Sequence, residues 1–200
     1  MKKSVFFNLD GTLTSNVPYQ EITENILVEN GVSDEKIDPW KYYELFFEKF
    51  ENLDENPYNS AFREYVKEFD LGLDPNLLGS EYKRRELAHV EPAEGLYKVL
   101  EDLEQKYEMG IITDGISSLQ EKKIEKIAVK DFFSTILISY RDGGNKEDLE
   151  IFTRAEIEHE DSGQYLYISH KDKDIASADA AGWKTAQKRI PELRNYPIIF

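Results

Sequence analysis

The sequence predicts an α/β protein with a doubly wound parallel sheet that carries an inserted block of helices. Apolar residues fill positions 5–7 and 9, a run typical of a strand buried on both faces. From residue 91 onward, strand and helix patterns alternate with short connections. Such alternation favours right-handed βαβ units, a parallel sheet and helices on both of its faces. We therefore expect an α/β core at about 1–15 and 91–200, and a four-helix insertion at about 16–90.

The predicted elements follow from turn signals and from the spacing of apolar residues. Helices of the insertion are expected at 18–29, after Asp38-Pro39, from about Pro57, and at 75–89. The core should add helices at 92–106, 117–128, 147–158 and 175–182. Its strands should cover 109–113, 135–139, 164–169 and 184–187, with a last edge strand at 197–200. Aromatic residues at helical spacing usually pack in a core, which is expected of Trp40, Tyr43, Phe47 and Phe50.

Composition limits the classes of protein and of partner. The 200 residues are 40% hydrophobic and 12% aromatic, which is enough for a folded core. A net charge of −15 should repel nucleic acid and anionic membrane surfaces, so neither is an expected partner. With no cysteine, thiolate chemistry is excluded. No apolar run reaches 18 residues, and a cytoplasmic protein is the default expectation.

The first strand ends in a polar turn, Asp10-Gly11-Thr12. In an open parallel sheet, ligands bind at the carboxyl ends of the strands. The stretch Val5-Phe6-Phe7-Asn8-Leu9-Asp10-Gly11-Thr12-Leu13 resembles the first motif of the haloacid dehalogenase superfamily, an apolar run followed by Asp-x-Asp-Gly-Thr-Leu. A helical cap inserted after the first strand is similar to the first cap class of that superfamily.

The resemblance implies an Mg²⁺-dependent phosphatase of small phosphorylated metabolites. In that family the first Asp is the nucleophile, and the second is the general acid/base that also holds the metal through its backbone carbonyl. Asp10 matches the second position, whereas Asn8 occupies the nucleophile position.

A second polar turn follows the next predicted strand, at Thr113-Asp114-Gly115. Thr113 could cap the following helix, or it could hold an anion together with backbone N–H groups. The resemblance favours the second role: Thr113 matches the hydroxyl that contacts the transferred phosphoryl group, with Asp114 and Gly115 beside it.

The third feature is the loop from Ser139 to Asp148, followed by Ile151-Phe152. It looks like the family stretch Gly-x-x-Lys-Pro-Asp-Pro-x-Ile-Phe. Lys146 then falls on the lysine that neutralises the charges of nucleophile and phosphate. Glu147 and Leu149 replace both prolines, so the loop should be less rigid.

The fourth feature is Ser169-His170-Lys171-Asp172-Lys173-Asp174-Ile175. The family reads Gly-Asp-x-x-x-Asp-Ile here. Asp174 matches, but His170 replaces a metal-ligating Asp. The implied ligand positions are thus Asn8, Asp10, Asp174 and a weakened His170, and Mg²⁺ binding should be weak or absent because Mg²⁺ prefers hard oxygen ligands.

Three hypotheses are compatible with these residues. The chain is an impaired or inactive relative that binds a ligand or a protein, because a neutral amide is a poor nucleophile. Alternatively, it is a phosphatase of nucleotide or sugar phosphates in which Asn8 is an engineered change. A third hypothesis is an unrelated nucleotide- or cofactor-binding module, although no Gly-x-Gly-x-x-Gly follows a strand. The sequence names neither the substrate nor any protein partner.

Overall fold

The computed structural model describes residues 2–144 and 146–188. Within it the chain divides into two compact units. One comprises the described parts of 1–16 and 90–200, and the other is Val17–His89.

The first unit is built on a five-stranded sheet in which every neighbouring pair of strands is parallel. Its spatial order is β3-β2-β1-β4-β5. The strands are β1 (Lys2–Phe7), β2 (Glu108–Thr113), β3 (Thr135–Ile138), β4 (Ser162–Ser169) and β5 (Lys184–Gln187). Because β1 is central, its apolar residues are covered on both faces, and Val5 and Phe6 have no exposed surface. This arrangement confirms the predicted fold class.

The second unit contains four helices that pack on one another. They are α1 (Tyr19–Glu29), α2 (Pro39–Glu51), α3 (Pro57–Glu68) and α4 (Pro75–His89). The Asp38 carboxylate caps α2 by accepting a hydrogen bond from the Lys41 backbone N–H at 3.0 Å, and Pro39 occupies the first helical position. All four helices begin within a residue of their predicted starts, and α1 and α4 end where they were predicted to end.

The remaining helices belong to the first unit and flank its sheet. They are α5 (Leu96–Glu104), α6 (Ser117–Lys126), α7 (Ser139–Asp142), α8 (Glu150–Glu158) and α9 (Asp172–Ala180). On one face of the sheet, Phe6, Phe152 and Trp183 pack with ring centroids about 5.1 Å apart. Parallel pairing of β1 with β2 and with β4 places the carboxyl ends of these three strands beside one another at one edge of the sheet.

Several predicted boundaries are wrong, each for a local reason. Helix α5 begins four residues later than predicted, because Pro92 forms an antiparallel bridge with Thr14 and Gly95 adopts a φ of +73°. Helix α8 begins at Glu150, after a short 3₁₀ turn over Lys146–Asp148 and a left-handed Leu149 with a φ of +60°. Ser139 starts α7 instead of ending β3.

The expected core role of the aromatic stripe on α2 is also wrong in part. Trp40 is 64% exposed, and the buried face of the helix is formed by Tyr42 and Leu45. The stripe satisfies helical spacing, but so does the adjacent face, and spacing alone does not choose between them. The predicted strand at 197–200 lies outside the described residues. No described helix is long and apolar enough to cross a membrane.

Candidate functional site

The residues singled out in the four loops converge where β1, β2 and β4 end. Backbone pairing places Phe7 opposite Ile111 of β2 and Ile168 of β4. The Asn8 N–H continues the ladder by donating to the Ile168 carbonyl at 2.9 Å. The side chains that follow these strands therefore meet at one edge of the sheet.

The Lys146 ammonium lies at the centre of a buried polar cluster. It donates to Asn8 Oδ1 at 3.0 Å and to Asp174 Oδ2 at 2.8 Å, and it lies 3.2 Å from Asp114 Oδ2. Ser169 Oγ donates to the same Asp174 oxygen at 2.8 Å. Three of the predicted site residues, one from each of three loops, thus contact a single cation.

Charge holds this cluster in one protonation state. Burial alone would lower the pKa of Lys146, but the negative charges of Asp114 and Asp174 outweigh it and hold that pKa well above its ordinary value. Burial would likewise raise the pKa of Asp174, but Lys146 keeps it below its ordinary value. At neutral pH the cluster therefore contains the charged Lys146 ammonium and the ionised Asp174 carboxylate beside the neutral Asn8 amide.

Asp10 is held by a different helix. Its two carboxylate oxygens accept hydrogen bonds from Lys123 Nζ and Gln120 Nε2, both at 2.7 Å and both from α6. Burial would raise the pKa of Asp10, but the Lys123 ammonium outweighs it, so the pKa lies below its ordinary value. Asp10 is consequently ionised at neutral pH and can accept a proton more readily than it can donate one.

The same glutamine joins Asp10 to the second loop. Gln120 Nε2 lies 2.8 Å from Thr113 Oγ1 and 2.9 Å from the Asp114 carbonyl oxygen. The Gly115 N–H donates to Ser139 Oγ at 3.1 Å. Thr113, Asp114 and Gly115, the predicted substrate-binding residues, are therefore fixed in place by side chains of α6 and α7.

The turn after β1 is clamped by residues that follow β4 and β5. Gly11 has a φ of +70°, and a Cβ there would lie 2.5 Å from Cε1 of His170. The His170 N–H donates to Thr12 Oγ1 at 3.1 Å. Lys188 Nζ donates to the backbone oxygens of Gly11 and Thr12, at 3.1 and 2.7 Å. Burial and the nearby lysines lower the pKa of His170, so its ring is neutral at pH 7.

The donor set does not fit Mg²⁺, which requires several hard oxygen ligands in octahedral geometry. Asn8 Oδ1 and Asp174 Oδ2 already accept from Lys146, and the Asp10 backbone oxygen accepts from Asn8 Nδ2 at 2.8 Å. His170 offers a neutral imidazole instead of a carboxylate. Among residues 2–144 and 146–188, no three His, Asp or Glu side chains lie together where they could hold a metal ion.

Four residues that sequence reasoning did not place in the site are part of these contacts. They are Gln120, Lys123, Ser169 and Lys188. A signal existed for the α6 pair, since polar residues three apart beside Leu119 and Ile124 occupy positions that would otherwise be apolar. Lys188 carries no such signal, because its partners lie about 177 positions away in the chain.

Comparison of the sequence with known proteins relates this chain to a known family. Residues 5–188 match the family described as haloacid dehalogenase-like hydrolase. A glyceraldehyde 3-phosphate phosphatase from Pyrococcus abyssi is 29% identical over 195 residues, which cover 92% of this chain and 80% of the relative. The pyrimidine 5′-nucleotidase YjjG of Escherichia coli is 26% identical over 114 residues, or 56% of this chain and 49% of the relative.

Solved structures show the same fold. The putative hydrolase YfnB of Bacillus subtilis, bound to magnesium, aligns with a TM-score of 0.72 at 21% identity, covering 98% of this chain and 90% of that one. An L-2-haloacid dehalogenase of Xanthobacter autotrophicus aligns with a TM-score of 0.71 at 14% identity, covering 94% and 77%. With its sheet, its four loops and the match over residues 5–188, this chain belongs to the haloacid dehalogenase-like hydrolase family.

Proposed function

We propose that this protein binds small phosphate monoesters at the Lys146 cluster without hydrolysing them. The observation that carries the proposal is the neutral Asn8 amide at the end of β1, with its Oδ1 hydrogen-bonded to Lys146 Nζ at 3.0 Å. An aspartyl-phosphate intermediate requires a carboxylate at that position, because an amide oxygen is a poor nucleophile. Losing an essential nucleophile lowers turnover by roughly 10⁶-fold, or about 8 kcal/mol of barrier.

The class of ligand is proposed from the site and from the relatives together. Lys146 supplies a buried positive charge, and Thr113 supplies a hydroxyl at the end of β2. Relatives that align over most of this chain are named glyceraldehyde 3-phosphate phosphatases, so a three-carbon phosphate ester is the first compound to test. Since the donor set does not fit Mg²⁺, we propose that this ion binds weakly or not at all.

The test compares the chain as it stands with Asn8→Asp and with the double variant Asn8→Asp, His170→Asp. Release of phosphate from glyceraldehyde 3-phosphate is measured with Mg²⁺ present, and binding is measured by calorimetry. Asn16→Asp is a matched control, because it makes the same change in charge at an exposed position outside the site. We expect binding without turnover from the unaltered chain and from the control. Mg²⁺-dependent turnover by either of them would overturn the proposal.

A second function is favoured by the relatives: a phosphatase of small phosphate monoesters in which Asn8 replaces a native Asp. The alignment with a named phosphatase over 92% of this chain supports it. If it is correct, Asn8→Asp alone should restore turnover. If both Asp variants bind the ester but release no phosphate, the result would favour the binding role.

A further inference from the structure

Lys188, which directly follows β5, places its ammonium on the turn after β1. Its Nζ donates to the backbone oxygens of Thr12 at 2.7 Å and Gly11 at 3.1 Å. The backbone N–H of Lys188 donates to the Ser169 carbonyl at 2.8 Å, and this bond fixes the backbone from which the Lys188 side chain extends. We propose that Lys188 is a positioning residue whose built-in positive charge replaces a divalent cation at this turn, so that phosphate esters bind without metal.

The geometry of the turn gives Lys188 a specific task. Backbone carbonyl oxygens directed at one point form a site for a cation, and here two successive carbonyls accept from one ammonium. The His170 ring also lies against Gly11, so closely that a Cβ there would lie 2.5 Å from it. The turn that carries Asp10 is thus contacted by both the His170 imidazole and the Lys188 ammonium.

The balance of charges in the site supports the idea that the Lys188 ammonium takes the place of a divalent cation. Asn8 and His170 are neutral at two positions where the family resemblance implies carboxylates, so the site has two fewer negative charges. Two negative charges are what one divalent cation would neutralise. In the described contacts Asp10 pairs with Lys123, and Asp114 and Asp174 share Lys146. Lys188 adds a third ammonium group, which contacts the backbone oxygens of Gly11 and Thr12 and, among the residues that the structure describes, no carboxylate.

This balance of charges predicts that phosphate groups bind to the site without a metal. The prediction rests on the proposed function. A site with no excess negative charge does not need a metal to admit an anion, whereas a carboxylate-rich site does. A phosphate group should therefore bind in the presence of a chelator. Removing the Lys188 charge should weaken that binding, because the turn would lose the cation that holds its carbonyl groups.

The experiment measures binding of inorganic phosphate and glycerol 3-phosphate by calorimetry, once with EDTA and once with Mg²⁺. Four proteins are compared: the unaltered chain, Lys188→Met, Lys188→Arg and the control Lys184→Met. Lys184 is an exposed residue of β5, the strand that Lys188 follows. We expect equal affinities of the unaltered chain in the two buffers, and a loss of about tenfold or more in Lys188→Met, the usual effect of losing one charge-assisted contact.

Lys188→Arg should retain the affinity, because it keeps the charge and can donate to both carbonyls. If Lys188→Met does not fold, the comparison of buffers and Lys188→Arg still test the idea. Binding that requires Mg²⁺ would overturn this inference and leave the proposed binding function intact. Unchanged affinity in a folded Lys188→Met, or lost affinity in a folded Lys188→Arg, would also overturn it. Absence of binding in both buffers would overturn the binding function itself.

Discussion

At the residue scale, the site depends on long polar side chains that are almost fully buried. Lys123 and Gln120 are each 2% exposed, and both reach Asp10 from α6. Burying a charge is costly unless it is paired and hydrogen-bonded, and here each group has a partner at 2.7 Å. The partners therefore determine the protonation state of Asp10, with a consequence that depends on pH.

Replacing Lys123 by Met should destabilise the protein by about 3 kcal/mol at pH 7, because the buried Asp10 carboxylate would lose its cation. The folded-state pKa of Asp10 lies below its ordinary value, so its contribution to stability is present above the unfolded pKa. That contribution is lost as pH falls through the folded pKa. The difference in unfolding free energy between the two proteins should thus be largest near neutrality and shrink in acid.

Urea denaturation between about pH 3 and 7 measures this difference. Lys122→Met is the matched control, since Lys122 is the adjacent, exposed residue of α6 and its loss should change stability by less than about 0.5 kcal/mol. A difference that stays constant over the whole range would show that Lys123 acts through packing and not through the charge of Asp10.

At the element scale, the turn after β1 is packed tightly against His170, the residue that follows β4. Gly11 combines a φ of +70° with a close approach of the His170 ring. A side chain there would face two separate costs: backbone strain in the left-handed region and a collision with the imidazole. The two costs can be separated by experiment.

Gly11→Ala should lower the midpoint of thermal unfolding more than Gly182→Ala does. Gly182 also has a positive φ, of +83°, but a Cβ there would meet no atom within 4 Å. In a His170→Ala background the collision disappears and only the strain remains, so Gly11→Ala should be less damaging there. The expected coupling between the two substitutions is about 0.5–3 kcal/mol. Strictly additive effects would show that the ring moves aside at no cost.

At the scale of the whole molecule, negative charge dominates. The 25 basic and 40 acidic residues leave a net charge of −15, which repels itself in the compact state. Several surface ion pairs, such as Arg85 with Glu81, offset part of this repulsion locally. The same field would disfavour nucleic acid and anionic membrane surfaces, which remain unexpected partners.

Raising NaCl from about 0.02 M to about 0.5 M should raise the temperature of thermal unfolding, because salt screens repulsion between exposed charges over the Debye length. Exposed ion pairs weaken at the same time, but such pairs contribute little individually. Calorimetry at pH 7 in a single buffer measures the shift. A lower unfolding temperature at high salt would show that attractive surface pairs outweigh the net repulsion.

Apart from the short helix α7, the order and type of the described helices and strands were predictable because they depend on local patterns. Helical spacing and the Asp38-Pro39 start located α2, and alternation after residue 91 indicated the parallel sheet. The start of α5 was not predictable, since Pro92 pairs with Thr14, a residue 78 positions earlier in the chain. The residues around Pro92 give no sign of this bridge in their own sequence, because the partner residue lies far away in the chain.

The sequence by itself determined which residues follow the strands, and that an amide (Asn8) and an imidazole (His170) occupy positions where the family resemblance implies carboxylates. Only the tertiary structure decided which side chains those residues contact: Lys123 and Gln120 on Asp10, and Lys188 on the turn after β1. The physical reason is distance along the chain. Pairing of the strands brings together groups more than 100 residues apart, and a long polar side chain gains a partner only where the folded backbone places one.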